Sequence, residues 1–164
     1  MMAGFLRRLL GGGSPAPRLL EVGSPAPDFR VPAHDGSMVS LGDLRGRKVV
    51  LWFYPKADTP GCTTEGKGFC SAHADFEARG TTVLGISFDD CAANAAFAEK
   101  FGFPYQLLCD TGREIGMAYG ACDSRDAKHA RRITYVIDEH GTIRHALPKV
   151  DPATHTTEVL ALLD

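Results

Sequence analysis

The chain has 164 residues, 44% hydrophobic and 23% charged, a size and balance that fit a single domain with a sizeable core. A formal charge of −2 and a pI near 6.3 leave out the basic footprint of a nucleic-acid or anionic-membrane binder. No apolar run reaches the roughly 18 to 20 residues that a spanning helix needs, and five irregularly spaced cysteines without C-x-x-C do not make a secreted disulfide framework.

Residues 1–18 read as a tail: Arg7 and Arg8 interrupt the apolar Phe5, Leu6, Leu9 and Leu10, and a Gly/Ser/Pro linker follows. The two arginines break the apolar core of a secretory signal, so the tail belongs to a cytoplasmic protein or, alternatively, is an organellar transit segment. The domain is expected over 19–164. Phe29 to Val31 and Ser37 to Ser40 flank the turn residues His34-Asp35-Gly36 and predict a small β-hairpin leading into a loop or helical turn at 41–44. Lys48 to Tyr54 is an unbroken β-prone run, predicted to be a strand buried on both faces. Thr59 is a good N-cap and Pro60 suits a first helical turn, which predicts one helix from Pro60 to about Arg79, stopped by Gly80. A strand at Thr81 to Phe88, a helix at Ala92 to Phe101, a strand at Tyr105 to Cys109 and a short helix at Glu114 to Tyr119 continue the alternation. Cys122 to Arg131 reads as an exposed loop, Ile133 to Asp138 and Thr142 to Leu147 as a hairpin around Glu139-His140-Gly141, and Asp151 to Leu163 as a closing helix. The order predicts an α/β, thioredoxin-like fold: a central mixed sheet flanked by helices, with an N-terminal β-hairpin.

The strand from Lys48 ends at Pro55, and the next helix starts with Cys62 in its first turn. A thiol attacks as thiolate, whereas a free cysteine with pKa about 8.5 is mostly protonated at neutral pH. A helix N-terminus favours the anion, and Arg132, opening a predicted strand beside the first, supplies a permanent cation. Glu65, one turn into the helix, is placed to hold that arginine. Pro55 and Pro60 stiffen the loop between them. Read alone, a single cysteine is more often a small buried residue than a nucleophile.

Pro55-Lys56-Ala57-Asp58-Thr59-Pro60-Gly61-Cys62 fits the P-x-x-x-T-x-x-C signature of peroxiredoxins. With Thr59 to Thr64, Gly23 to Phe29 and Arg132 to Asp138, the chain resembles the bacterioferritin-comigratory, or Q-type, branch over about residues 19 to 164. The resemblance implies a thiol peroxidase in which Cys62 attacks the peroxide O–O bond, Thr59 and Arg132 contact thiolate and peroxide, Pro55 shields the pocket, and Glu65 orients Arg132. It implies no metal, haem or flavin, a thioredoxin-like or glutaredoxin-like reductant, and a monomer or weak homodimer. The chain departs from the family at the resolving cysteine: Lys67 and Ala98 stand where relatives carry one. Cys70 is the first candidate and Cys91 the alternative, with an external thiol as a third route. Cys70 lies about 12 Å along an intact helix from Cys62, so a bond between them needs unwinding, which Gly66 and Gly68 ease. Other readings are weaker. A thiol–disulfide oxidoreductase would want C-x-x-C, a Cys70/His73 metal half-site lacks a second ligand pair, and a redox sensor on the same fold would not need the full Pro55/Thr59/Cys62/Arg132 set. His129 reads as a solvated loop residue near Arg132.

Overall fold

The computed structural model describes residues 18–164; the tail assigned to 1–18 lies outside the described residues except for Arg18. A two-stranded antiparallel hairpin, β1 (Arg30–Pro32) and β2 (Met38–Ser40), precedes a 3-10 turn at Leu41–Leu44. A five-stranded sheet follows, built from β3 (Lys48–Phe53), β4 (Thr81–Ser87), β5 (Gln106–Cys109), β6 (Ile133–Ile137) and β7 (Ile143–Leu147) in the order β5-β4-β3-β6-β7. The β3, β4 and β5 strands are parallel, while β6 and β7 run antiparallel to their neighbours. Helices α1 (Pro60–Ser71), α2 (His73–Ala78), α3 (Cys91–Phe101), α4 (Glu114–Ala118) and α5 (His155–Leu162) complete the α/β architecture expected from the sequence.

The β3 strand divides two cores. Val49, Leu51 and Phe53 point into one, with Ile86, Ile115, Tyr119 and Tyr135, while Val50, Trp52 and Tyr54 point into the other, with Phe69, Phe76, Phe97 and Val159. Alternation along a strand buried on both faces produces this split. Trp52 stacks on Phe69 of α1 at 5.3 Å between ring centroids, which fastens the cysteine-bearing helix to the middle of the sheet.

Four local expectations are corrected. The helix from Pro60 does not run to Arg79: it breaks at Ala72 (φ −96°, ψ 8°), and α2 begins at His73. Phe69, Ala72 and Phe76 are all buried at helical spacing across the break, so the apolar period conceals it. The Cys122 to Arg131 segment is exposed only in its middle; Cys122 and Ala130 are buried, and the Arg131 N–H donates to the Ala121 carbonyl at 2.8 Å. Regular helix at the C-terminal end starts at His155, after turns through 152–154. Thr59 flanks α1 with an extended backbone, but its hydroxyl makes no capping bond and donates instead to the Lys56 carbonyl at 2.7 Å.

Candidate active site

The register of the sheet assembles the site. Phe53 of β3 pairs with Ile133 of β6, so Arg132, one residue before β6, lies beside the end of β3 where the chain turns toward α1. Cys62, in the first turn of α1, is fully buried. The Arg132 guanidinium forks: Nη2 donates to Cys62 Sγ at 3.4 Å, and Nη1 donates to Glu65 Oε1 at 2.7 Å. Gly61 makes room for it, since a Cβ there would fall 2.9 Å from Nη2. A cation and the open N–H groups of the helix start therefore face the sulfur together.

The loop from Pro55 to Thr59 is held from two sides. The Ala57 N–H donates to Asp89 Oδ2 at 2.8 Å, and Asp58, in the left-handed region at φ 58°, forms an ion pair with Lys100 of α3 at 2.9 Å. A strained non-glycine residue persists where neighbours over-determine it. Asp89 also accepts from Ser87 Oγ at 2.7 Å, and Ser87 contacts Asn94, whose Oδ1 accepts from Tyr54 at 2.6 Å. These residues tie the loop to β3, β4 and α3, and spacing along the chain does not announce them.

Glu65 is fully buried, and desolvation raises its carboxyl to about 7 against the opposing pull of Arg132. Its Oε2 has no hydrogen-bond partner and lies 3.6 Å from Nε2 of His155, a buried residue missed in the sequence reading. His155 Nε2 is 2.8 Å from Thr134 Oγ1, and burial, helped by Arg132, depresses the imidazole to about 4.

The remaining cysteines are dispersed. All five are free thiols. Cys70 is half-buried on α1 with Sγ 3.7 Å from the Gly102 carbonyl oxygen. Cys91 is half-buried at the first position of α3. Burial, with a hydrogen-bonding contact to Cys91, pushes the Cys109 thiol up to about 12. His129 is exposed, and among the described residues no group of three His, Cys, Asp or Glu side chains is arranged to hold a metal ion.

The sequence and the fold have known counterparts. The model of the AhpC/TSA family matches residues 22–146. The chain belongs to the AhpC/TSA family. The putative peroxiredoxin bcp of Coxiella burnetii is 41% identical over 149 residues, covering 88% of this chain and 99% of that protein. The chloroplastic peroxiredoxin Q of Triticum aestivum is 35% identical over 142 residues, 86% of this chain and 65% of the longer plant protein. Among solved structures, peroxidoxin BcpB from Mycobacterium tuberculosis matches with a TM-score of 0.81 at 31% identity, covering 88% of this chain and 96% of that one. A PrxQ variant from Xylella fastidiosa matches at 0.82 and 28%, covering 92% and 97%. The chain is thus similar to bcp and Q peroxiredoxins in sequence and in fold, and its activity is that of a thiol-dependent peroxidase.

Proposed function

We propose that Cys62 is the peroxidatic nucleophile and that the chain reduces hydrogen peroxide and organic hydroperoxides. One observation carries the assignment: the Cys62 sulfur is buried against the Arg132 guanidinium at 3.4 Å, at the start of a helix. The thiolate attacks the terminal peroxide oxygen, an S–O bond forms as the O–O bond breaks, and the departing alkoxide or hydroxide takes a proton to leave as alcohol or water. Charge grows on the leaving oxygen during this step, so donors aimed at it lower the barrier. Arg132 supplies such donors, and Thr59 supplies another once its hydroxyl turns from the Lys56 carbonyl to the substrate. Half-buried Pro55 keeps bulk water off the sulfur, and Glu65 orients Arg132.

Cys70 is proposed to resolve the Cys62 sulfenic acid, forming an S–S bond and releasing water, after which a thioredoxin-like or glutaredoxin-like dithiol reduces the disulfide. Cys91 is the second reading, favoured by the Ala57 to Asp89 bond, which sets the segment before α3 against the peroxide loop. The domain occupies 19–164 in a monomer or weak homodimer, in the cytoplasm or, if residues 1–18 form a transit segment, in an organelle. No helix among the described residues is long and apolar enough to cross a membrane.

Purified protein is expected to consume hydrogen peroxide with a thiol reductant, and Cys62→Ser to abolish turnover; full activity in that variant would remove Cys62 from the mechanism. Peptide mapping after one equivalent of peroxide reads the second step, with a Cys62–Cys70 link expected. A Cys62–Cys91 link, or a sulfenic acid that persists until external thiol is added, would reassign it.

A further inference from the structure

Glu65 and His155 are two buried ionisable residues that face each other. Both side chains are fully inaccessible, and both carry a polar atom without a hydrogen-bond partner, Oε2 and Nδ1. Buried polar groups are almost always paired, and a carboxyl oxygen facing an imidazole nitrogen at 3.6 Å is just outside bonding range. Catalytic hydrogen bonds are often long in the unliganded enzyme and tighten when substrate arrives.

The approach is built into the packing of α5 on α1. At Gly68, one turn beyond Glu65, a Cβ would fall 2.4 Å from Thr156 Oγ1, so glycine is what lets the start of α5 reach the helix. The neighbouring His155 ring then meets Phe69 edge-on, with centroids 5.6 Å apart and planes at 89°. Thr134 of β6, two residues past Arg132, contacts Nε2 from the sheet side at 2.8 Å. Helix α1, helix α5 and strand β6 thus converge on one carboxyl group.

Charge explains what a second partner would do. A Cys62 thiolate and an ionised Glu65 share a single guanidinium, which leaves a buried net charge of −1. Two anions compete for Arg132, and burial makes that competition costly. The ionisable groups around Glu65 are Arg132 from the start of β6, Cys62 on its own helix, Tyr105 beside β5, whose hydroxyl donates to the Gly66 carbonyl, and His155 from α5. Arg132 stays charged, Cys62 must be anionic to react, and burial holds Tyr105 far above its usual range, so it stays neutral. His155 is left to adjust the Glu65 carboxyl.

We propose that His155 is a positioning residue for peroxide reduction: acting through Glu65 Oε2, it sets the charge and orientation of the carboxyl that steers Arg132 onto Cys62. The ring touches neither the sulfur nor the peroxide. With one proton shared between carboxyl and imidazole, Glu65 keeps Oε1 on Nη1 without withdrawing the cation from the thiolate. This inference rests on Cys62 being the nucleophile.

The test is the second-order rate constant for Cys62 oxidation by hydrogen peroxide from pH 5 to 9, in wild type, His155→Leu, His155→Gln, Glu65→Gln and the Glu65→Gln/His155→Leu double variant. His155→Leu is expected to slow oxidation about tenfold and to move the near-neutral inflection of the pH profile upward, because Glu65 loses its polar neighbour. His155→Gln, with an amide nitrogen near the Nε2 position, is expected to restore most of the rate and gives the fold a gentler variant. In the Glu65→Gln background the His155→Leu effect is expected to vanish, as it must for a residue acting through Glu65. An equal rate loss in both backgrounds with an unmoved inflection would overturn the proposal and leave His155 a packing residue. A wild type that does not oxidise at Cys62 would overturn the nucleophile assignment itself, and this inference with it.

Discussion

Arg132 serves two acceptors with two different nitrogens, Sγ of Cys62 and Oε1 of Glu65, and that geometry needs a planar fork. A lysine ammonium reaches one of them at best. Arg132→Lys is therefore expected to lower the oxidation rate of Cys62 by about 10²-fold, as losing an aimed donor does elsewhere, measured by stopped-flow at fixed pH; a rate within twofold of wild type would mean that only the charge matters. The Glu65–His155 couple makes a separate prediction about stability. Glu65 is raised from 4.5 to about 7 on folding, so its share of stability is present below pH 4.5 and is lost as pH rises through 7. His155 is lowered from 6.5 to about 4, so its share is present above pH 6.5 and is lost as pH falls through 4. Between 4.5 and 6.5 both states hold one proton on the couple, on the imidazole when unfolded and on the carboxyl when folded, and the slopes cancel. Melting temperatures are expected to fall with rising pH in His155→Gln and to rise in Glu65→Gln, while wild type stays flat from this pair. Parallel curves for all three would show that neither group is shifted.

The element that decides the second chemical step is α1. Cys62 and Cys70 lie eight residues apart on one unbroken helix, about 12 Å by its rise, against the 7 Å or so that a disulfide tolerates. As glycines within a helix, Gly66 and Gly68 are weak points for unwinding. In the structure they are contact points: a Cβ would fall 2.5 Å from the Phe103 ring at Gly66 and 2.4 Å from Thr156 at Gly68. Tyr105 adds a clamp by donating to the Gly66 carbonyl at 2.7 Å in a buried setting. Losing such a bond costs about 1 kcal/mol, so Tyr105→Phe is expected to speed Cys62–Cys70 formation about fivefold in a quench and mass-mapping time course. An unchanged rate would indicate that helix opening does not limit resolution. Both the helix and its cysteine were legible from Pro60 and the apolar period, but the break at Ala72 was not, because burial keeps the same spacing through it.

At the scale of the whole molecule, the site is where two halves of the sheet meet. Parallel β3 brings Cys62 through its helix, antiparallel β6 brings Arg132, and α5, the last described helix, sets His155 against Glu65. Among the described residues the contacts begin at Arg18, whose carbonyl lies against Gly120, and continue through Leu19, packed on the core, and Leu20, whose N–H donates to the Tyr135 hydroxyl at 3.1 Å. Removing residues 1–17 is expected to leave the peroxidase rate and melting temperature unchanged, whereas a cut extended through residue 21 is expected to lower the melting temperature. A loss of activity in the shorter truncation would bring the tail into the functional unit.

By itself the sequence determined what depends on neighbours along the chain: a β-prone run buried on both faces, a proline-framed turn, a cysteine at a helix start, and a glutamate one turn further along that helix. These rest on local periodicity and backbone preference, which a few consecutive residues express. Only the tertiary structure decided which atoms meet. His155 is distant in sequence from Glu65, Asp89 reaches Ala57 across the sheet edge, and the Thr59 hydroxyl turns to Lys56 rather than into the helix. Such contacts follow from strand register and from how closely α5 packs on α1, and neither quantity is written in residue spacing.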